Sequence, residues 1–162
     1  MKLMRRRRAL AVTCILFVSL AHPAGAAQRR DMKVYSPVPE DQRERLDERL
    51  RLYIGFERAR RFDEVYDLLS PAYLASLRSR GVADKSAYVK SLRDLGDAYL
   101  HIEDFTPYTT KRAEHAAGDV YLIEGWVVSR WGKTVHRDKG SLEAHLVEGQ
   151  WYFSELGLEI VD

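Results

Sequence analysis

The pattern of apolar positions divides the chain into a helical half followed by a strand-rich half. At the start of the helical half, apolar residues recur at the spacing of one helix face, at Leu46, Leu50, Tyr53 and Ile54. Pro39 suits the first turn of a helix. The pattern therefore predicts an amphipathic helix that begins near residue 40.

The other face of this helix is charged. Acidic residues stand four positions before arginines, which is the favourable order for ion pairs along a helix. Two of these pairs are Asp47 with Arg51 and Glu57 with Arg61. The spacing predicts a solvated, ion-paired helix face.

Capping residues predict further helices up to residue 96. Ser70 followed by Pro71 is typical of a helix start, and Gly81 suits the left-handed residue that often follows a helix end. The predicted segments run from Asp63 to Leu69, from Pro71 to about Arg80, and from Asp84 to Gly96.

From Tyr99 onward the pattern is that of strands. The segment Val120–Trp131 is rich in β-branched and aromatic residues, and Gly125 within it suggests a bulge. Glu148 and Gly149 are typical of a tight turn between two strands. We predict an antiparallel meander of about four long strands.

The order of elements defines the fold class. Helices come first and strands follow, which indicates α+β segregation, and an antiparallel sheet with one apolar face must be covered. We therefore predict N-terminal helices packed in the concave face of a curved four-stranded antiparallel sheet. The expected organisation is a signal peptide over residues 1–26, a flexible arm over 27–39 and a single α+β domain over 40–162.

The first 26 residues have the features of a secretory signal peptide. Four arginines, Arg5–Arg8, precede an apolar run of 13 residues, and Ala24-Gly25-Ala26 is a cleavage site of the A-x-A type. The run is shorter than the roughly 20 apolar residues that span a bilayer. We expect a periplasmic or secreted protein. An uncleaved membrane anchor is the alternative, and it would be the protein's only membrane contact.

The leader also accounts for the basic charge of the chain. The formal net charge is +2, but residues 1–26 carry five basic residues and no acidic one. The remainder has 21 basic and 24 acidic residues, a net charge of −3. This argues against nucleic acid as a partner, because such binding depends on lysines and arginines that neutralise phosphates. The 19 arginines against 7 lysines are typical of a GC-rich bacterial genome.

Two stretches of the domain resemble a known superfamily. The segment Tyr53–Tyr73 resembles the opening of nuclear transport factor 2-like (SnoaL-like) domains, and Val147–Phe153 is similar to their last hairpin. The resemblance implies a cone fold whose helices and sheet enclose a pocket. The chain departs from many enzymes of this superfamily in having no predicted strand pair between its second and third helices.

Aromatic residues on the predicted helices and strands are the candidate binding residues. In a domain of this size, large aromatic side chains favour a packed core that leaves a residual groove. The alternative is that they line a pocket for a small apolar or amphipathic ligand. Trp126 is expected to face the helices, and Glu124 to lie beyond a bulge at Gly125, toward solvent or the rim. The candidate pocket-lining residues are Tyr53, Tyr66, Tyr88, Trp126 and Trp151.

Catalytic and metal chemistry have weaker support in the sequence. The only cysteine, Cys14, lies in the leader, and no two histidines have metal-ligand spacing, so we expect neither metal nor cofactor. The resemblance implies that an enzyme of this type would carry an acid–base set inside the cone. The available residues are Tyr53 or Tyr66 as donor, His101 or His145 as base, and Asp104 or Glu124 as the group that orients the base.

Strand alternation favours a non-catalytic function. His101 alternates with Leu100 and Ile102, and His145 alternates with leucines, so the apolar neighbours are expected to face the core. The sequence therefore predicts an exported binding or interaction domain of the bacterial envelope. Its expected partner is a protein or a small apolar ligand, with a homodimer through the sheet as a further expectation. The alternative is a small cofactor-independent lyase or isomerase.

Cleavage after Ala26 is the first testable prediction. Protein exported by a bacterial host should have the intact mass of a chain that begins at Ala27, because the A-x-A site follows the apolar run directly. A secreted or periplasmic product that still carries residues 1–26 would contradict both the signal peptide and the net charge of −3.

Overall fold

Helices precede strands throughout the part of the chain that the computed structural model describes, which is residues 31–113, 118–154 and 156–159. The predicted signal peptide lies outside these residues. Within them, no helix is both long and apolar enough to cross a membrane. The helices are α1 (Glu40–Arg58), α2 (Phe62–Tyr66), α3 (Pro71–Ser79) and α4 (Lys85–Leu95); the strands are β1 (His101–Arg112), β2 (Asp119–Trp131), β3 (Thr134–Val147), β4 (Gln150–Phe153) and β5 (Gly157–Glu159).

Two helix starts follow the predicted capping residues. The Ser70 side chain accepts a hydrogen bond from the backbone N–H of Tyr73 at 3.1 Å, and Asp84 accepts one from the N–H of Ala87 at 2.9 Å. Each side chain satisfies one of the backbone donors that a helix start leaves without a partner in the helix. Gly81, just after α3, has a φ of +93°, as predicted for a residue that follows a helix end.

The second helix is shorter than predicted, because the residues after it pair with β4. The backbone N–H of Phe153 donates to the carbonyl oxygen of Leu68 at 2.8 Å, and the N–H of Ser70 donates to the carbonyl oxygen of Phe153 at 2.7 Å. Because these two hydrogen bonds hold the backbone of residues 68–70 beside β4, helix α2 ends at Tyr66. Residues 68–70 thus lie alongside β4.

The segment before α1 is packed on the domain, so the expected flexible arm is wrong for residues 31–39. Residues Met32–Tyr35 form a 3₁₀ turn, and Tyr35 and Val38 are buried. The hydroxyl of Tyr35 donates a hydrogen bond to the buried Asp47 carboxylate on α1 at 3.0 Å. The apolar side chains supply the physical reason, because their burial on the core favours an ordered segment.

The sheet is antiparallel in the order β1-β2-β3-β4. The first three strands are long, but β4 has only 4 residues, which is shorter than expected. A fifth strand that the sequence did not indicate, β5, pairs with Lys139–Ser141 of β3. β4 pairs farther along the same strand, with residues 144–147, so the two short strands share the edge of β3.

The inner face of the sheet contains a pair of glycines. Gly125 on β2 lies opposite Gly140 on β3, and both are buried. A Cβ atom at Gly125 would lie 2.6 Å from the ring of Phe105, and one at Gly140 would lie 2.5 Å from Val127. Both positions therefore exclude a side chain because their neighbours already fill the space.

This packing corrects the predicted orientation of Trp126. Pairing between β2 and β3 is continuous through Gly125, and the nearby irregularity lies on β1, between Pro107 and Thr109. Because Gly125 faces inward, its neighbour Trp126 faces outward and is 38% exposed. The expectation that Trp126 faces the helices is wrong, as is the expectation of a bulge at Gly125.

Trp151 is a core residue, as its position after the tight turn predicted. It is 2% exposed, and its ring lies against Tyr121 with ring centroids 5.7 Å apart. The substitution Trp151→Ala should lower the free energy of unfolding by roughly 3–5 kcal/mol, because it removes a large buried side chain. Urea unfolding monitored by circular dichroism measures this loss.

Trp131→Ala is the matched control, since Trp131 is 61% exposed. It should change the free energy of unfolding by no more than about 0.5 kcal/mol. Equal effects of the two substitutions would show that Trp151 does not anchor the core.

Candidate functional site

A cavity of about 270 Å³ is the candidate functional site. Its wall combines residues of α1, α3 and α4 with the start of β1 and with the last described residues. The apolar part of the wall consists of Leu69, Leu77, Val82, Leu92, Leu95, Ala98, Leu100, Ile102, Leu156 and Leu158.

Four tyrosines form the aromatic part of the wall, and several of them pack against neighbouring rings. Tyr53 packs against Phe153, with ring centroids 5.2 Å apart, and Tyr88 packs against Tyr66 at 5.4 Å. Tyr73 and Tyr99 complete the group. Packed rings of this kind present fixed apolar surfaces together with hydroxyl groups that can form hydrogen bonds.

A buried carboxylate lies in the same wall. Glu57, on α1, is 3% exposed, and its Oε2 atom accepts a hydrogen bond from the Tyr99 hydroxyl at 3.2 Å. The ring of Tyr99 also contacts Phe62 and His101, with centroid distances of 5.5 and 5.2 Å. Glu57 and Tyr99 thus bring an acidic group and a phenol to one place in the cavity.

Arg80 brings a positive charge to the wall near α3. Its guanidinium carbon lies 5.5 Å from the centre of the Tyr73 ring, within the range of a cation–π contact. The residue as a whole is exposed, unlike Glu57. Glu57 and Arg80 are the charged residues among the described lining residues.

The predicted pocket residues lie in three regions: at the cavity, in the core and on the outer face of the sheet. Tyr53 and Tyr88 line the cavity, and Tyr66 packs behind Tyr88. Trp151 lies in the core beside Tyr121 and does not line the cavity. Trp126 is on the outer face of the sheet, where the guanidinium of Arg137 lies 5.5 Å from its ring centre.

Sequence reasoning missed Glu57, Arg80 and Tyr99 as lining residues. The predicted solvated pair of Glu57 with Arg61 is wrong, because Arg61 pairs with Glu64 and Glu57 is buried. The sequence does contain an indication that Glu57 is buried: it follows Tyr53 by four residues and so continues the apolar stripe of α1.

The predicted acid–base set is not assembled in the cavity. Glu124 accepts a hydrogen bond from the Lys111 ammonium at 2.7 Å on the outer face. His145 lies on that face too, with its Nε2 atom 3.4 Å from a carboxylate oxygen of Glu143. Neither residue lines the cavity.

His101 is buried without lining the tyrosine-walled cavity. It is 7% exposed and lines a separate space with Phe62, Leu92 and Gly96. Its neighbours Leu100 and Ile102 do line the tyrosine-walled cavity, as strand alternation predicted. His101 is nevertheless shielded from solvent because helical residues cover this end of β1.

Ion pairs outside the cavity perturb the ionisation of several surface groups. The pKa of the Glu103 carboxyl lies below its ordinary value because Arg130, on the adjacent strand, donates hydrogen bonds to it. The pKa of the Lys85 ammonium is raised by its hydrogen bonds to Asp67, at 2.7 and 2.8 Å. These pairs connect neighbouring elements on the surface and take no part in the cavity wall.

Metal ligands are not clustered in the described part of the chain. Among those residues, no group of three or more histidine, cysteine, aspartate or glutamate side chains is placed to hold a metal ion. His115 is not among the described residues.

Comparison with protein-family models, with curated proteins and with solved structures gives no match. The chemistry of the cavity is therefore the basis on which a function can be inferred.

Proposed function

We propose that the chain is an exported, non-catalytic domain of the bacterial envelope that binds a small, largely apolar ligand in the tyrosine-walled cavity. The observation that carries this proposal is the cavity itself, about 270 Å³ with leucines, four tyrosines and few charged groups in its wall. Ligand sites are typically concave and mostly apolar, with a small number of placed polar groups.

The composition of the cavity wall favours ligand binding. Ten of the lining residues are aliphatic, and the four tyrosines add rings with hydroxyl groups. An apolar ligand would contact wall atoms that are otherwise exposed to water, and this burial favours binding.

The envelope location rests on the N-terminal sequence. The arginine run, the apolar run of 13 residues and the A-x-A site all support export. The net charge of −3 without residues 1–26 supports a partner other than nucleic acid.

We also propose that the chain belongs to the nuclear transport factor 2-like superfamily and has its cone fold. Four helices followed by an antiparallel sheet, within the described residues, support this assignment. A cone fold would place a ligand cavity between the helices and the sheet.

A lyase or isomerase is the second candidate, and one contact favours it. Glu57 and Tyr99 share a hydrogen bond in the cavity wall, and a carboxylate with a phenol can serve as base and oxyanion donor. Binding without catalysis has more support, since Glu124 is engaged by Lys111 on the outer face and His101 lines a different space.

The proposed binding can be tested with N-phenyl-1-naphthylamine, a neutral apolar probe whose fluorescence rises in apolar surroundings. The wild-type protein should bind it, and Val82→Trp should abolish binding, because Val82 is a half-buried lining residue and indole would fill the cavity. Ser91→Trp, at a second lining position, should have the same effect.

Val135→Trp is the matched control, since Val135 is 49% exposed and does not line the cavity. It should bind the probe as the wild type does. Circular dichroism should show that all variants are folded. Loss of binding in the lining variants alone would support the cavity as the site, whereas unchanged binding in both of them would overturn the proposal.

A further inference from the structure

We infer that the hairpin tip, residues 131–137 at the turn from β2 to β3, docks on an anionic lipid bilayer with Trp131 at the level of the headgroups. This goes beyond the proposed function, because the tip is separate from the cavity wall. It also adds a membrane contact to the leader, which the sequence suggested as the only one. The exposure of the tip, its apolar side chains and its charge support this role.

The hairpin tip extends beyond the packed part of the domain. Residues 131–137 are all exposed, whichever side of the hairpin they lie on. Strand pairing nevertheless continues to the turn, where Trp131 lies opposite Thr134. Backbone pairing therefore holds a two-stranded end whose side chains are directed into the surroundings of the protein.

Large apolar side chains lie on this exposed tip. Trp131 is 61% exposed and Val135 is 49% exposed. A tryptophan at such a position forgoes the stabilisation that its burial in the core would bring. Tryptophan is enriched at membrane–water interfaces, where the ring contacts lipid and the indole N–H stays near water. Contact with a bilayer would therefore stabilise the side chain that water does not.

The charge of the tip is complementary to an anionic bilayer. Residues 131–137 contain Lys133, Arg137, one histidine and no acidic residue, whereas residues 27–162 as a whole have a net charge of −3. Within the described residues, neither Lys133 nor Arg137 forms an ion pair, and the Arg137 guanidinium contacts the Trp126 ring. Anionic lipids attract basic segments of this kind. The tip is thus drawn to the bilayer while the acidic remainder is repelled.

The shape of the tip favours a bilayer over a protein partner. Trp131 and Val135 lie on opposite sides of the hairpin, because Trp131 pairs with Thr134, the neighbour of Val135. A protein surface would cover one of these sides, whereas a bilayer can surround both. The seven residues of the tip are also far fewer than the roughly 20–30 that each side of a stable protein interface contributes.

The backbone of the tip limits the depth of insertion. Pairing of β1 with β2 begins with His101 opposite Arg130, so the tip lies beyond the end of β1. Backbone groups on that edge of the hairpin need water or headgroups as hydrogen-bond partners, which the hydrocarbon core does not supply. The tip therefore enters the headgroup region and stops there.

Binding to lipid vesicles tests this inference. Exported protein should co-sediment with vesicles of phosphatidylcholine and phosphatidylglycerol in equal parts, and much less with phosphatidylcholine alone. Lys133→Gln should weaken binding to the mixed vesicles roughly fivefold, since a basic residue near the surface contributes about 1 kcal/mol and 1.4 kcal/mol is a factor of ten. Trp131→Ala should also weaken binding. The mixed vesicles should shift the tryptophan fluorescence of the wild type to shorter wavelength, and should not shift that of Trp131→Ala.

Arg78→Gln and Leu52→Ala are the matched controls. Arg78 is an exposed arginine on α3, and Leu52 is 48% exposed on α1. Both substitutions should leave vesicle binding close to that of the wild type, because salt screens charges that lie away from the bilayer. Trp131→Ala and Lys133→Gln change exposed side chains, so both should keep the circular dichroism spectrum of the wild type.

Several results would overturn the inference. These are absence of vesicle binding, equal binding to the two vesicle types, and equal effects of the tip and control substitutions. A dimer that dissociates in Trp131→Ala, without any vesicle binding, would overturn it too and would assign the tip to a second copy of the chain. Each of these results leaves the proposed function intact, because N-phenyl-1-naphthylamine binding is measured without vesicles.

Discussion

The contact between the Phe105 ring and the backbone at Gly125 fixes the side of the sheet on which each β2 residue lies. A Cβ atom at Gly125 would approach the ring to 2.6 Å and the carbonyl oxygen of Thr106 to 2.7 Å. The ring can occupy this position only because glycine has no side chain, and Gly140 is the directly paired residue on β3. Since side chains alternate along a strand, Glu124 and Trp126 must then face outward.

The interior between helices and sheet has two regions: a closely packed region over Gly125 and Gly140, and the cavity. Over the glycine pair, Phe105 and Val127 are fully buried and leave no space. The cavity lies elsewhere, where Leu68 and Ser70 pair with Phe153 and the chain turns into α3. That pairing brings the lining residues of α3 into the same wall as the buried carboxyl group of Glu57.

Local interactions explain which features the sequence predicts. Ser70 and Asp84 cap helices with their own side chains, so their roles can be read from neighbouring residues. The orientation of Trp126 depends on a residue of another strand, and strand β5 depends on a pairing with β3; neither leaves a local pattern. The charge pattern predicts an ion pair of Glu57 with Arg61, four residues later, whereas the place of Glu57 on the apolar stripe of α1 indicates the burial that the structure shows.

A double-mutant cycle between Gly125→Ala and Phe105→Leu tests the central contact most directly. Gly125→Ala should lower the free energy of unfolding strongly in the wild type and less in the Phe105→Leu background, because leucine removes the ring contact of the new methyl group. The contact with the Thr106 carbonyl oxygen is present in both backgrounds, so the rescue should be partial. The account predicts a coupling free energy of about 1 kcal/mol or more. Effects that add to within about 0.3–0.5 kcal/mol would contradict it.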